Sequence, residues 1–174
     1  MSSPKILVVY YSHAGTTATV AHYLAKNLRC DVEAIRECVD REGLAGWFRS
    51  ARDASLRRAT PIQPMTSRAQ DYDLILVGTP VLASSLAAPV RSYLDSIRGK
   101  AKRVAFFLTH GGFDRERVFG QMEDVIGTRP EAALAFTEAR VESGAYRSRA
   151  DNLVSYVREL LADHPEELQL AMAS

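Results

Sequence analysis

Short apolar runs alternate along the chain with stretches whose apolar residues recur at helical spacing, which is the sequence form of a parallel sheet wrapped by helices. Residues 5–11 (KILVVYY) show no apolar–polar alternation and predict a strand buried on both faces. From Thr16 the period changes, and Val20, Leu24 and Leu28 mark one face of a helix. Residues 31–37 predict a weaker second strand carried by Val32 and Ile35, and residues 74–77, ending at Gly78, a third buried one. Pro89 suits the first turn of the next helix, where its missing N–H costs nothing, and Val90, Leu94 and Ile97 form that helix's inner stripe. Strand four is expected at 104–108, a helix on Val118, Met122, Val125 and Ile126, and strand five at 133–136. Leu153, Val157, Leu160 and Leu161 mark a closing helix that Pro165 ends.

The interval between the second and third strands exceeds a minimal crossover. Its middle predicts an extra surface helix with Leu44, Trp47, Phe48 and Ala51 on one side and Arg41, Arg49, Arg52, Arg57 and Arg58 on a solvated basic face. With 174 residues, 47% hydrophobic and 25% charged, the composition is that of one globular domain, expected over 1–165 with a frayed tail at 166–174. The 22 basic and 21 acidic residues leave a net charge of +1, which removes the electrostatic basis for indiscriminate binding to nucleic acid or an anionic membrane. Cys30 and Cys38 match neither a metal knuckle nor the C-x-x-C redox spacing and read as buried or idle thiols in a reducing cytoplasm. The first apolar run is too short for a signal peptide or for a membrane helix of ~20 residues, so a soluble cytoplasmic protein is expected.

In an open doubly wound sheet, ligands bind beyond the carboxyl ends of the strands, where the strand order reverses. The loops after strands one, three and four therefore hold the candidate chemistry. The first, Ser12-His13-Ala14-Gly15-Thr16-Thr17, passes directly into a helix, so N–H groups and hydroxyls converge at a positive dipole end without any Lys or Arg. At roughly 1.5–3 kcal/mol for each hydrogen bond to a charged oxygen, a few of them hold a phosphate. Ser and Thr beside Gly are also ordinary cap and turn residues, and the position directly after strand one is what favours the anion site. Replacing Thr17 by Val is expected to weaken that site while changing the stability of the ligand-free protein little. The second loop runs Thr79-Pro80-Val81-Leu82-Ala83 and the third Thr109-His110-Gly111-Gly112-Phe113. In the third, Gly111-Gly112 lets the main chain approach a flat ligand. His13 reads as a loop residue facing water, and His110 equally as a proton donor or a polar loop residue. Neither has the companions a metal site needs.

Better-known loops do not fit. The nucleoside triphosphatase loop needs a Lys that is missing, the dinucleotide fingerprint needs three spaced glycines, and no G-x-S-x-G elbow occurs. No acidic pair of a phosphoacceptor and no Cys of a thiol phosphatase follows strand one. The chain resembles the flavodoxins, specifically short-chain flavodoxin-like flavoproteins. Ser12, Gly15 and Thr17 meet the phosphate-loop pattern [ST]-x-[ST]-G-x-T, with Ala14 at the middle hydroxyl position. Gly78 to Ala83 is similar to a G-T-P-V-W-A segment, the run Ala88-Pro89-Val90-Arg91-Ser92-Tyr93-Leu94 to a P-P-V-R-x-[YF]-L helix start, and Thr109 to Gly112 to a T-x-G-G turn.

The resemblance implies an α/β, three-layer doubly wound parallel sheet of five strands in the order 2-1-3-4-5. It also implies flavin mononucleotide (FMN), with its phosphate in the first loop and its ring system between the second and third. One departure stands out: Leu82 occupies the position where the family offers an aromatic residue to stack on the ring. Three functions follow as alternatives. The first is electron transfer through bound flavin with a redox partner protein or a small-molecule donor or acceptor. The second is an NAD(P)H-dependent quinone or flavin reductase, and the third a flavin-free binding protein that kept the fold.

Overall fold

The computed structural model describes residues 3–38, 59–112 and 114–162. The predicted helix around Trp47 and Phe48, its arginines, Phe113, the stop at Pro165 and the tail at 166–174 lie outside the described residues. β1 (Ile6–Tyr10) leads through a short loop into α1 (Thr16–Leu28), and β2 (Asp31–Ala34) follows. β3 (Leu74–Leu82) turns back on the two-residue β4 (Ser85–Leu86) before α2 (Ala88–Ile97). β5 (Val104–His110), α3 (Arg115–Ile126), β6 (Ala133–Thr137), α4 (Glu138–Glu142) and α5 (Arg147–Ala162) complete the order.

Five parallel strands run β2-β1-β3-β5-β6, with β4 antiparallel to β3. Counting only the parallel strands, this is the expected order 2-1-3-4-5. The sheet's two faces carry separate apolar clusters because side chains alternate along each strand. Leu7, Val9, Ile75, Val77, Phe106 and Leu108 pack on α2 and α3. Val8, Leu76, Phe107 and Phe136 meet α1 and α5. Pro89 stands in the first turn of α2 as expected.

Three differences from the pattern-based expectation have local causes. β2 stops at Ala34 because it is an edge strand whose only described neighbour is β1, and Val32 is left exposed. β3 runs past Gly78 to Leu82, since β5 pairs with it as far as Pro80 and Thr109, and β4 then pairs with Val81 and Leu82. Cys38 is exposed, and Cys30 is half-buried with its thiol pushed up to about 12, by burial first and by the Asp31 carboxylate second. It is therefore protonated at neutral pH.

Gly78 sits opposite Phe107 in the β3–β5 register, and a Cβ there would overlap the Phe107 ring, which is fully buried. The glycine is required for room rather than for a turn. Gly78→Ala should lower stability by about 1–3 kcal/mol, the usual range for overpacking a core. Urea denaturation checks this, and an unchanged midpoint would show that the ring relocates freely.

Candidate functional site

The carboxyl ends of β1, β3 and β5 meet at one edge of the sheet. Tyr11 N–H donates to the Gly78 carbonyl at 3.1 Å, so the first loop leaves the sheet beside the point where β3 continues upward. Within that loop the Ser12 hydroxyl oxygen accepts from the N–H of Gly15 at 3.1 Å and of Ala18 at 3.2 Å. Ser12 thus folds the loop onto the start of α1. Gly15, the N-cap, has φ +95°, a conformation open to glycine and strained for most other residues. Thr19 bonds back to the Gly15 carbonyl. The N–H groups of Thr16 and Thr17 have no hydrogen-bond partner among the described residues, and the first turn holds no acidic side chain. Two donors at a positive helix end, with no acidic side chain in the first turn, are the groups that the predicted anion site requires.

The Thr17 side chain has a second role. It is fully buried, and its hydroxyl pairs with that of Thr109, also fully buried, at 2.7 Å. This bond ties the phosphate-type loop to the third loop. Thr17→Val leaves a buried Thr109 hydroxyl without its partner, so the expectation of little change in ligand-free stability is corrected: a loss of about 1–3 kcal/mol follows. His13, Ala14 and Gly15 are exposed, and Thr16 is half-buried.

In the second segment Thr79 and Pro80 are buried, and the Thr79 hydroxyl donates to the Pro80 carbonyl at 3.0 Å. Val81 and Leu82 are half-buried and pack against the α2–α3 core. Ala83 and Ser84 make the two-residue turn into β4, with φ +47° and +59°. A two-residue turn with positive φ at both central positions favours Asn-Gly there, so this Ala-Ser pair holds strain of about 1–2 kcal/mol per residue. Gln121 on α3 keeps the hairpin in place: its side-chain oxygen accepts from the Ser85 hydroxyl at 3.0 Å and from Leu86 N–H at 2.8 Å, all buried. Sequence reading missed Gln121. Its signal was a polar residue on the inner stripe between Val118 and Met122.

In the third segment His110 closes β5 with only 5% of its surface exposed, and Gly111 and Gly112 are exposed beyond it. Gly112 adopts φ +143°, which only glycine takes readily. Phe113 lies outside the described residues. Burial holds the His110 imidazole below its ordinary pKa, assisted by Arg115 and Arg149 and opposed by Glu138 and Glu116. The ring is therefore neutral near pH 7. Thr109 and Pro80 are paired across the β3–β5 ladder, so all three predicted segments converge through Thr17, Thr109 and Pro80, while the exposed His13 takes no part in those contacts.

Two substitutions test the hairpin. Gln121→Leu should cost about 1–3 kcal/mol, because it leaves buried donors on Ser85 and Leu86 unmet, and hydrogen exchange at the Leu86 amide should accelerate. Ser84→Gly should raise stability by about 1 kcal/mol by removing a positive-φ side chain. Both are read by urea denaturation, and a destabilised Ser84→Gly would contradict the strain.

Comparison with known proteins supplies the lineage. A sequence model of the family described as Flavodoxin matches residues 5–149. The fold is shared with a flavoprotein from Lactobacillus acidophilus NCFM solved in complex with FMN, at 21% identity and a TM-score of 0.69, over 81% of this chain and 98% of that one. It is also shared with oxidised Flavodoxin 2 from Bacillus cereus, at 18% identity and a TM-score of 0.54, over 89% and 98%. Two curated proteins named NAD(P)H dehydrogenase (quinone) are 31% identical, from Gluconacetobacter diazotrophicus over 100 residues and from Acidovorax ebreus over 102. Each alignment covers 55% of this chain and 47% of the relative, so the chain matches about half the length of those proteins. No described helix is long and apolar enough to cross a membrane. On the family match and the three converging segments together, the chain belongs to the flavodoxin family.

Proposed function

We propose that this chain binds FMN and transfers electrons through it, with the phosphate on the Ser12–Thr17 loop and the ring system between Thr79–Ala83 and Thr109–Phe113. The observation that carries the proposal is the pair of unpartnered N–H groups on Thr16 and Thr17, at a helix end free of acidic side chains and beside the buried Thr17–Thr109 bond. The open space at Gly111 and Gly112, where no heavy atom lies within 4 Å of the position a side-chain carbon would take, suits close approach of a flat ring to the main chain. When bound, FMN supplies reversible one- or two-electron chemistry. The chain's part is to anchor the phosphate with neutral donors, to present backbone groups of 79–83 and 109–112 to the polar ring edge, and to keep water from the buried side.

Leu82 favours a second reading, an NAD(P)H-dependent quinone or flavin reductase. Packed against the core and aliphatic, it leaves above the ring the room that a stacking aromatic would fill and that a hydride donor needs. The two relatives named NAD(P)H dehydrogenase (quinone) support this reading over the matched segment. The charge of +1 also lacks the acidic surplus that steers a carrier to basic partners. A soluble cytoplasmic setting with a redox protein or a small-molecule donor or acceptor as partner fits both readings.

Titrating the flavin-free protein with FMN and with riboflavin tests the phosphate anchor. Riboflavin should bind at least about tenfold more weakly, the loss of roughly one charge-assisted hydrogen bond or more. Equal affinities would move the phosphate elsewhere, and no binding of either by folded protein would hand the case to the flavin-free alternative. Leu82→Trp should tighten FMN binding by up to about tenfold, since an aromatic contact adds about 0.5–1.5 kcal/mol beyond its area. In stopped-flow reduction the same variant should oxidise a nicotinamide donor more slowly if the protein is a reductase, and should keep one-electron exchange if it is a carrier.

A further inference from the structure

A cavity of about 230 Å³ opens at the carboxyl ends of β5 and β6, next to the third predicted segment. His110, Arg115, Arg140, Tyr146, Arg149 and Phe136 line it. The three arginines come from three elements, α3, α4 and α5, and converge only through the fold. Arg115 is occupied by an ion pair with Glu116. The side chains of Arg140 and Arg149 have no ion pair or hydrogen bond among the described residues. Buried Tyr146 packs edge-on against Phe136 and Tyr23 at the cavity wall, and its N–H donates to the Arg140 carbonyl at 3.2 Å.

His110 supplies the observation that points to a ligand. It is buried, with 5% of its surface exposed, it lines the cavity, and its Nδ1 has no hydrogen-bond partner among the described residues. A buried imidazole beside arginines is under pressure to stay neutral, and an anion in the cavity reverses that pressure by supplying the opposite charge. Guanidinium groups bind phosphate through paired N–H donors, which suits two arginines without carboxylate partners.

We infer that this cavity binds a phosphate group carried by the small molecule that exchanges electrons at the neighbouring flavin site, namely the phosphate of a nicotinamide dinucleotide. The inference rests on the reductase reading above. Arg115, Arg140 and Arg149 line the site, and Glu116 from α3 and Glu138 from α4 act on His110 through their charge, a balance of one positive charge before the ligand arrives. The FMN phosphate has its own neutral anchor on α1, so the two anions do not compete for one site.

The test begins on flavin-free protein with inorganic sulfate, a dianion whose charge is constant between pH 5 and 8. Against chloride at equal ionic strength, sulfate should shift the His110 ring resonances in NMR and raise its pKa, and its binding should tighten as pH falls through that pKa. Arg140→Gln and Arg149→Gln, both at exposed positions, should each weaken sulfate by about tenfold, the loss of a charge-assisted hydrogen bond. On FMN-loaded protein the same variants should raise KM for NADPH by a similar factor, with kcat and FMN affinity unchanged. Sulfate that leaves His110 unmoved overturns the inference, as does an NADPH KM insensitive to both arginines. Failure of the wild type to bind FMN overturns the functional reading instead, and the sulfate titration, done without flavin, keeps the two failures apart.

Discussion

The register between β3 and β5 is the constraint on which the rest of the molecule depends. The fully buried Phe107 ring fills the space over Gly78, and the ladder continues from that pair to Pro80 and Thr109. A slip by one residue would turn every side chain on these strands to the opposite face and separate the two apolar clusters from their helices. It would also turn Thr109 away from Thr17, and with it the hydrogen bond that joins α1 to the top of the sheet. The glycine therefore supports the arrangement of Thr17 and Thr109, though it lies one strand position below the predicted second segment.

Above this pair the two proposed anion sites would differ in how they hold their ligand. At the start of α1 the donors are neutral N–H groups on a loop shaped by Ser12 and Gly15. Across β5 the donors are guanidinium groups around a buried histidine. Neutral donors add little charge beside a redox centre, whereas cations bind more strongly and more reversibly with salt. Between them lies a hairpin strained at Ala83 and Ser84 and held down by one glutamine. Strain at such a position is stored by surrounding contacts that over-determine it. The buried hydrogen bonds of Gln121 are those contacts.

Much of this was legible in the sequence. Four of the five parallel strands followed from unbroken apolar runs, because strands covered on both faces need no polar alternation, while the edge strand β2 was signalled only by Val32 and Ile35. The first and third loops followed from Gly and hydroxyl residues placed directly after such runs. The extension of β3 was not legible, since Gly78 and Pro80 read as punctuation when pairing with β5 in fact carries the strand through them. The buried bond from Thr17 to Thr109 was not legible, because the two residues are distant in sequence and a hydroxyl pair has no local pattern. The arginine-lined cavity was illegible for the same reason: Arg115, Arg140 and Arg149 meet only when three helices are packed.

The proposal that the first turn of α1 holds the phosphate of a bound FMN, through the N–H groups of Thr16 and Thr17, is tested most directly by amide NMR of the flavin-free protein during titration with FMN. Large downfield proton shifts are expected at Thr16 and Thr17, with slowed hydrogen exchange at both. Smaller changes are expected at Gly111 and Gly112, and riboflavin alone should reproduce them. Binding of FMN that leaves the Thr16 and Thr17 amides unshifted would contradict the proposal.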